Sequence, residues 1–113
     1  FIKIDVEGFE PFVLQGLRET LERSRPLVFF EWTQGVRKIV TGDCRKLFPE
    51  NYSFYVFVPD TVLLGIFRKR HYKLHSVGGD WPDGNILALP VEFVNRLKTD
   101  LSTSDAALRL FAS

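Results

Sequence analysis

The fold turns on residues 1–32, where FIKIDV (1–6) and LVFFEW (27–32) flank EGFEPFVLQGLRETLERSRP (7–26). The first run is short, apolar apart from Lys3 until it reaches Asp5, and stopped by Gly8, the pattern of a strand covered on both faces. Pro11 then stands where a first helical turn tolerates proline, and Val13, Leu14, Leu17 and Leu21 recur at helical spacing up to Pro26. Gly16 inside this helix costs about 1 kcal/mol relative to alanine, which a close approach of the helix to a sheet would explain. LVFFEW is a second continuous apolar run, and a link of about 20 residues suits a right-handed crossover between parallel neighbours. The unit reads as strand, helix, strand. A domain rarely starts inside its most buried strand, so the chain reads as the later part of something larger.

Composition bounds the rest. The chain has 113 residues, 45% of them hydrophobic, enough for one small domain with a core. Formal net charge is +1 with 26% charged residues, so no global field argues for nucleic acid or an anionic membrane. Cys44 is the only cysteine, which excludes an internal disulfide and fits a reducing compartment and a small buried apolar role. No apolar run approaches the about 20 residues that cross a bilayer, and no signal-peptide pattern is present. The expected location is cytoplasmic.

Beyond Trp32 the signals weaken. Val36, Ile39 and Val40 have helical spacing, Gly42-Asp43 interrupts it, and Cys44, Leu47 and Phe48 resume it, giving one broken or two short helices. Residues 52–58 and 61–67 read as strands around a Pro59-Asp60 turn, hence a hairpin. The loop GGDWPDGN (78–85) precedes a short strand, ILAL (86–89), and a helix over 91–101. The residues from Ser102 to Asp105 read as a break and cap before a short terminal helix.

Ligands of open α/β sheets bind beyond the carboxyl ends of the strands, and both ends carry acids here. Asp5, Glu7 and Glu10 follow the first strand and Glu31 ends the second. Glu7 and Glu10 could simply favour a helix N-terminus, by about 0.3 to 1 kcal/mol each. Glu31, inside an apolar strand, is costly to bury without a ligand or a partner, and Lys3 one strand over is the partner expected.

IKIDVEGFEPFVLQGL (2–17) followed by RPLVFFEW (25–32) resembles the FkbM-type methyltransferases, whose pattern is a strand ending in KIDVEGxE, a helix, and an acid-ended strand. NILALP (85–90) is similar to a strand near that family's end. The resemblance implies an α/β chain with a partial Rossmann-like methyltransferase fold, a parallel βαβ unit followed by antiparallel strands. Residues 1–113 would be its C-terminal half, with FIKIDV and LVFFEW as the fourth and fifth strands of the sheet. It implies S-adenosylmethionine as cofactor, although the family's Gly-rich cofactor loop and ribose-binding acid are not in this sequence. The implied reaction moves a methyl group to a hydroxyl or amine of a small molecule or glycan. In it Asp5 is general base or anchor of the cofactor's amino group, Glu7 orients the acceptor, and Glu10, Glu31 and Trp32 surround the substrate.

Other readings stay open. Asp5 and Glu31 could offer oxygen ligands to Mg²⁺, though two carboxylates do not define a site. The same half-sheet could be a non-catalytic interaction domain that self-associates through its edge. An Asp ending an apolar strand is also similar to phosphotransferases of the haloacid dehalogenase type, but their second Asp is Glu7 here. His71 and His75 have the spacing of ligands on a helix but read better as solvated, and the basic run 68–73 reads as a strand end. Trp81 is either a lid over an acceptor or a hydrophobic plug, with the plug favoured.

Overall fold

The computed structural model describes residues 1–37, 44–64, 67–78, 81 and 83–100, the side chains of 37, 59–64, 67–72 and 100 excepted. Five strands form one mixed sheet in the order β1-β2-β5-β3-β4. They are β1 (Ile2–Ile4), β2 (Val28–Trp32), β3 (Tyr52–Leu64), β4 (Phe67–Ser76) and β5 (Gly84–Pro90). β1 and β2 are parallel neighbours, with Lys3 level with Phe29 and Ile4 with Phe30. β5 runs antiparallel between β2 and β3, and β3 and β4 form a long antiparallel pair.

The segment joining β1 to β2 is two short helices, α1 (Glu10–Gly16) and α2 (Arg18–Ser24), where one was expected. The break is at Leu17, whose N–H reaches back to both Val13 and Leu14 carbonyls at 3.0 and 3.2 Å. Gly16 therefore ends a helix, and a Cβ added there would meet nothing within 4 Å. The expected close approach to the sheet is absent, because Leu14 and Leu21, fully buried, are the side chains that face it. α2 closes with Arg25 in the left-handed region at φ 47°, ahead of Pro26.

The hairpin also differs from expectation. β3 runs straight through Pro59-Asp60, where Pro59 opposes Tyr72, so 68–73 lies within β4. β3 has β5 beside it only as far as Val56, and beyond that point one flank carries no described strand. Proline is tolerated in such an edge segment, because its missing N–H need not face a partner. α3 (Gln34–Arg37) and a 3₁₀ turn at Cys44–Leu47 fill the region after β2. α4 (Val91–Asp100) follows β5 directly. The terminal helix expected after Ser102 lies outside the described residues.

Alternation along the strands divides the side chains between two faces. One face carries Ile4, Val28, Phe30, Trp32, Ile86 and Phe54 into the main core beneath α1 and α2. Its aromatic rings are linked: Phe48 lies 5.7 Å from Phe30 and 5.1 Å from Phe54, and Trp81 lies 5.2 Å from Phe54. Burying each such ring contributes roughly 1.5–3 kcal/mol. Trp81 is thus a plug, only 8% exposed, and Arg45 stacks on it at 5.0 Å. Cys44 is fully buried in the same core. On the opposite face α4 packs Val94 against Tyr55 and Leu89. α4 follows from the end of β5 that lies beside the start of β2, so the far end of this face, beyond Phe29, has no described helix over it.

Candidate functional site

At that uncovered end a pocket of about 310 Å³ is lined by Lys3, Ile4, Asp5, Phe29, Glu31 and Asn85. Register explains the gathering. Lys3 pairs with Phe29 across the parallel ladder, and Asp5 follows one residue beyond the last pair, Ile4 with Phe30. Glu31 pairs with Asn85 across the antiparallel ladder. Side chains at alternate positions share a face, so an ammonium, two carboxylates, an amide and a phenyl ring meet around one depression.

The loop after β1 sets the position of Asp5. Glu7 and Gly8 both have positive φ, 49° and 102°, and turn the chain sharply into α1. Gly8 has open space around it, so its backbone angle alone demands glycine. Glu10, the first residue of α1, folds back over this turn. Its Oε2 accepts the Gly8 N–H at 2.9 Å and its Oε1 accepts the Val6 N–H at 3.3 Å. At 1% exposure Glu10 is the one buried acid among the described residues.

The pocket brings Asp5 and Glu31 together and leaves out Glu7, Glu10 and Trp32. Glu7 is exposed on the turn. Glu10 spends both oxygens on backbone N–H groups. Trp32 is fully buried on the other face, its ring 6.3 Å from that of Trp81, because strand alternation sets it opposite Glu31. Glu31 is exposed and so does not pay the burial expected of it, and no ion pair joins it to Lys3 among the described residues. The reason is the cover: no described helix lies over this end of the face, so β2 has its buried residues on one side and the exposed Glu31 on the other.

Phe29 and Asn85 were not foreseen as site residues. Phe29 stands two residues from Glu31, so alternation alone could have found it; Asn85 arrives only by non-local pairing of β5 with β2. Among the described residues no group of three or more His, Cys, Asp or Glu side chains is placed to hold a metal ion. His71 and His75 lie on β4, where four positions span about 13 Å, far from the one-turn spacing of a helical ligand pair. No helix among the described residues is long and apolar enough to cross a membrane.

Against known proteins, a family model described as the methyltransferase FkbM domain matches residues 1–62. The match takes in β1, α1, α2, β2, α3 and most of β3, and it stops before NILALP. It lies in the first part of the chain and lends no support to assigning the chain to the domain's C-terminal half. No curated protein and no solved structure matches the chain. With more than half of its 113 residues matched, including the whole acid-bearing turn and both parallel strands, the chain belongs to the FkbM methyltransferase domain family.

Proposed function

We propose that this chain forms the acceptor side of an S-adenosylmethionine-dependent methyltransferase site, acting on a hydroxyl or an amine of a small molecule or glycan. The observation that carries this reading is the meeting of Asp5 and Glu31, at the carboxyl ends of adjacent parallel strands, on one pocket. That is where open α/β sheets bind their ligands. The parallel β1-β2 pair joined by helices is compatible with a Rossmann-like arrangement.

Alignment and removal of the acceptor's proton are the tasks left to side chains in such a transfer. Asp5 takes the proton from the acceptor O–H or N–H. Glu31 and Asn85 orient the acceptor by accepting and donating hydrogen bonds, Phe29 supplies an apolar wall, and Lys3 offsets part of the negative charge. Glu7 reaches only an acceptor that extends past the pocket. The Val6 and Gly8 N–H groups of the turn are bound by Glu10 and are not offered to a cofactor.

The test is methyl transfer from labelled S-adenosylmethionine by the full-length protein to a panel of hydroxylated and amine acceptors. Asp5→Asn should lower turnover about 10²–10⁴-fold, the usual cost of a lost general base, with an unchanged thermal midpoint. Weakened cofactor binding with normal turnover at saturation would instead make Asp5 the anchor of the cofactor's amino group. Wild-type turnover and binding would remove Asp5 from the mechanism.

A second reading, an interaction module without catalysis, is favoured by the outer edge of β1. Among the described strands β1 has only β2 beside it, and Phe1, Phe9 and Phe12 are 78%, 63% and 53% exposed. Such an edge is a template for pairing with another chain. Concentration-dependent sedimentation, abolished by a lysine at Phe9 and Phe12, with no methyl transfer in any assay, is the outcome that selects it.

A further inference from the structure

Two acids of the opening turn differ in a way that ordinary helix-end electrostatics does not explain. Asp5 is exposed on the pocket rim, while Glu10 is 1% exposed and bonded only to the backbone between them. A carboxylate out of water is costly unless its oxygens are satisfied, and charge-assisted bonds in dry surroundings are strong and directional. We infer that Glu10 is the positioning residue of this site: by gripping the N–H groups of Val6 and Gly8, its buried carboxylate fixes where Asp5 stands over the pocket. The inference rests on the reading of the pocket as an acceptor site.

The geometry is specific. Asp5 lies between two anchored points, Ile4 in the ladder with Phe30 and Val6 on the Glu10 Oε1 atom. The other oxygen holds Gly8, whose φ of 102° suits glycine, directly after Glu7, which at φ 49° is a non-glycine residue in the left-handed region and keeps that angle only where its surroundings impose it. The two N–H groups use different oxygens, so glutamine can serve one of them and aspartate is a methylene short of either. α1 is itself anchored through buried Leu14, so the grip refers Asp5 to the core and not merely to the loop.

The experiment uses the full chain, isotope-labelled, by NMR, and needs neither cofactor nor acceptor. In the wild type, scalar couplings across the hydrogen bonds should connect the Val6 and Gly8 amide nitrogens to the Glu10 carboxylate carbon. Glu10→Ala should raise amide exchange at Val6 and Gly8 by about tenfold or more and change the N–H orientations of Asp5 and Val6, while those of Phe30 and Val94 stay put. Glu10→Gln should protect one of the two amides and expose the other, whereas a side chain that only fills space would be replaced by glutamine without effect. Absent couplings, or unchanged exchange and orientation at Asp5 and Val6 in the variants, overturn the inference. If Glu10→Ala does not fold, the wild-type couplings and Glu10→Gln decide it. Failure of methyl transfer in the full-length protein would leave this result untouched, so the two readings fall separately.

Discussion

Arg25 and Glu92, 67 residues apart, clasp each other through two hydrogen bonds, Nε to Oε1 at 2.8 Å and Nη2 to Oε2 at 3.0 Å. Arg25 also donates to the Glu50 and Asn51 carbonyls, each at 2.9 Å, and lies over the Tyr52 ring at 4.7 Å. One side chain thus ties the end of α2 to the start of β3 and to α4. This explains why a non-glycine residue occupies the left-handed position at the end of α2, a conformation that costs about 1–2 kcal/mol.

The clasp makes stability depend on acid. The hydrogen bond from Arg25 holds the Glu92 carboxyl down, from 4.5 to about 2. Because the folded carboxyl titrates below the unfolded one, the contribution is complete above about pH 5 and is lost as pH falls toward 2. The Glu92 side chain is 53% exposed, so solvent screening limits the contribution to about 1 kcal/mol or less. Thermal midpoints of wild type and Glu92→Gln should differ at pH 7 and converge in acid. A constant gap across that range would contradict the assignment.

Gly8→Ala tests the turn beneath the pocket. A Cβ there meets nothing within 4 Å, yet φ is 102°, so the whole cost is backbone strain. The expected loss is about 1–3 kcal/mol in urea unfolding. An unchanged midpoint would show that the turn tolerates another conformation.

Glu31→Gln and Phe30→Ala separate the two faces of β2. Glu31 is exposed, so its amide should leave stability within about 0.5 kcal/mol and, on the proposed acceptor-orienting role, lower methyl transfer in the full-length protein. Phe30 is fully buried, and its truncation should cost about 3–5 kcal/mol. Large destabilisation by Glu31→Gln would restore a buried ion pair to consideration.

Arg45→Met probes the attachment of the Trp81 plug. Arg45 Nη2 donates to the Gly78 carbonyl at 2.7 Å and the Val77 carbonyl at 3.3 Å, with the guanidinium over the Trp81 ring. Loss of these contacts should lower the unfolding midpoint by about 1–2 kcal/mol and speed quenching of tryptophan fluorescence by acrylamide. Unaltered quenching would mean that Trp81 is seated without Arg45.

The sequence by itself determined the βαβ beginning, the acid-ended parallel strands, and β5 with α4 after it, because each is written in neighbouring residues. Apolar runs bounded by Gly8 and Pro26, leucines at helical spacing and the run ahead of Val91 need no distant partner to be read. The tertiary structure alone decided the rest. Pro59-Asp60 has the local chemistry of a turn, yet the chain stays extended there because β4 pairs along it. The pairing of β5 with β2 brought Asn85 to the pocket and closed it on one side. Burial, too, is a property of what lies overhead: the apolar run around Glu31 suggested two covered faces, but the described helices cover only one at that end. Glu31 therefore faces water, and Glu10, which the local sequence left open between a helix-end acid and a site acid, is buried with both oxygens on the backbone of its own turn.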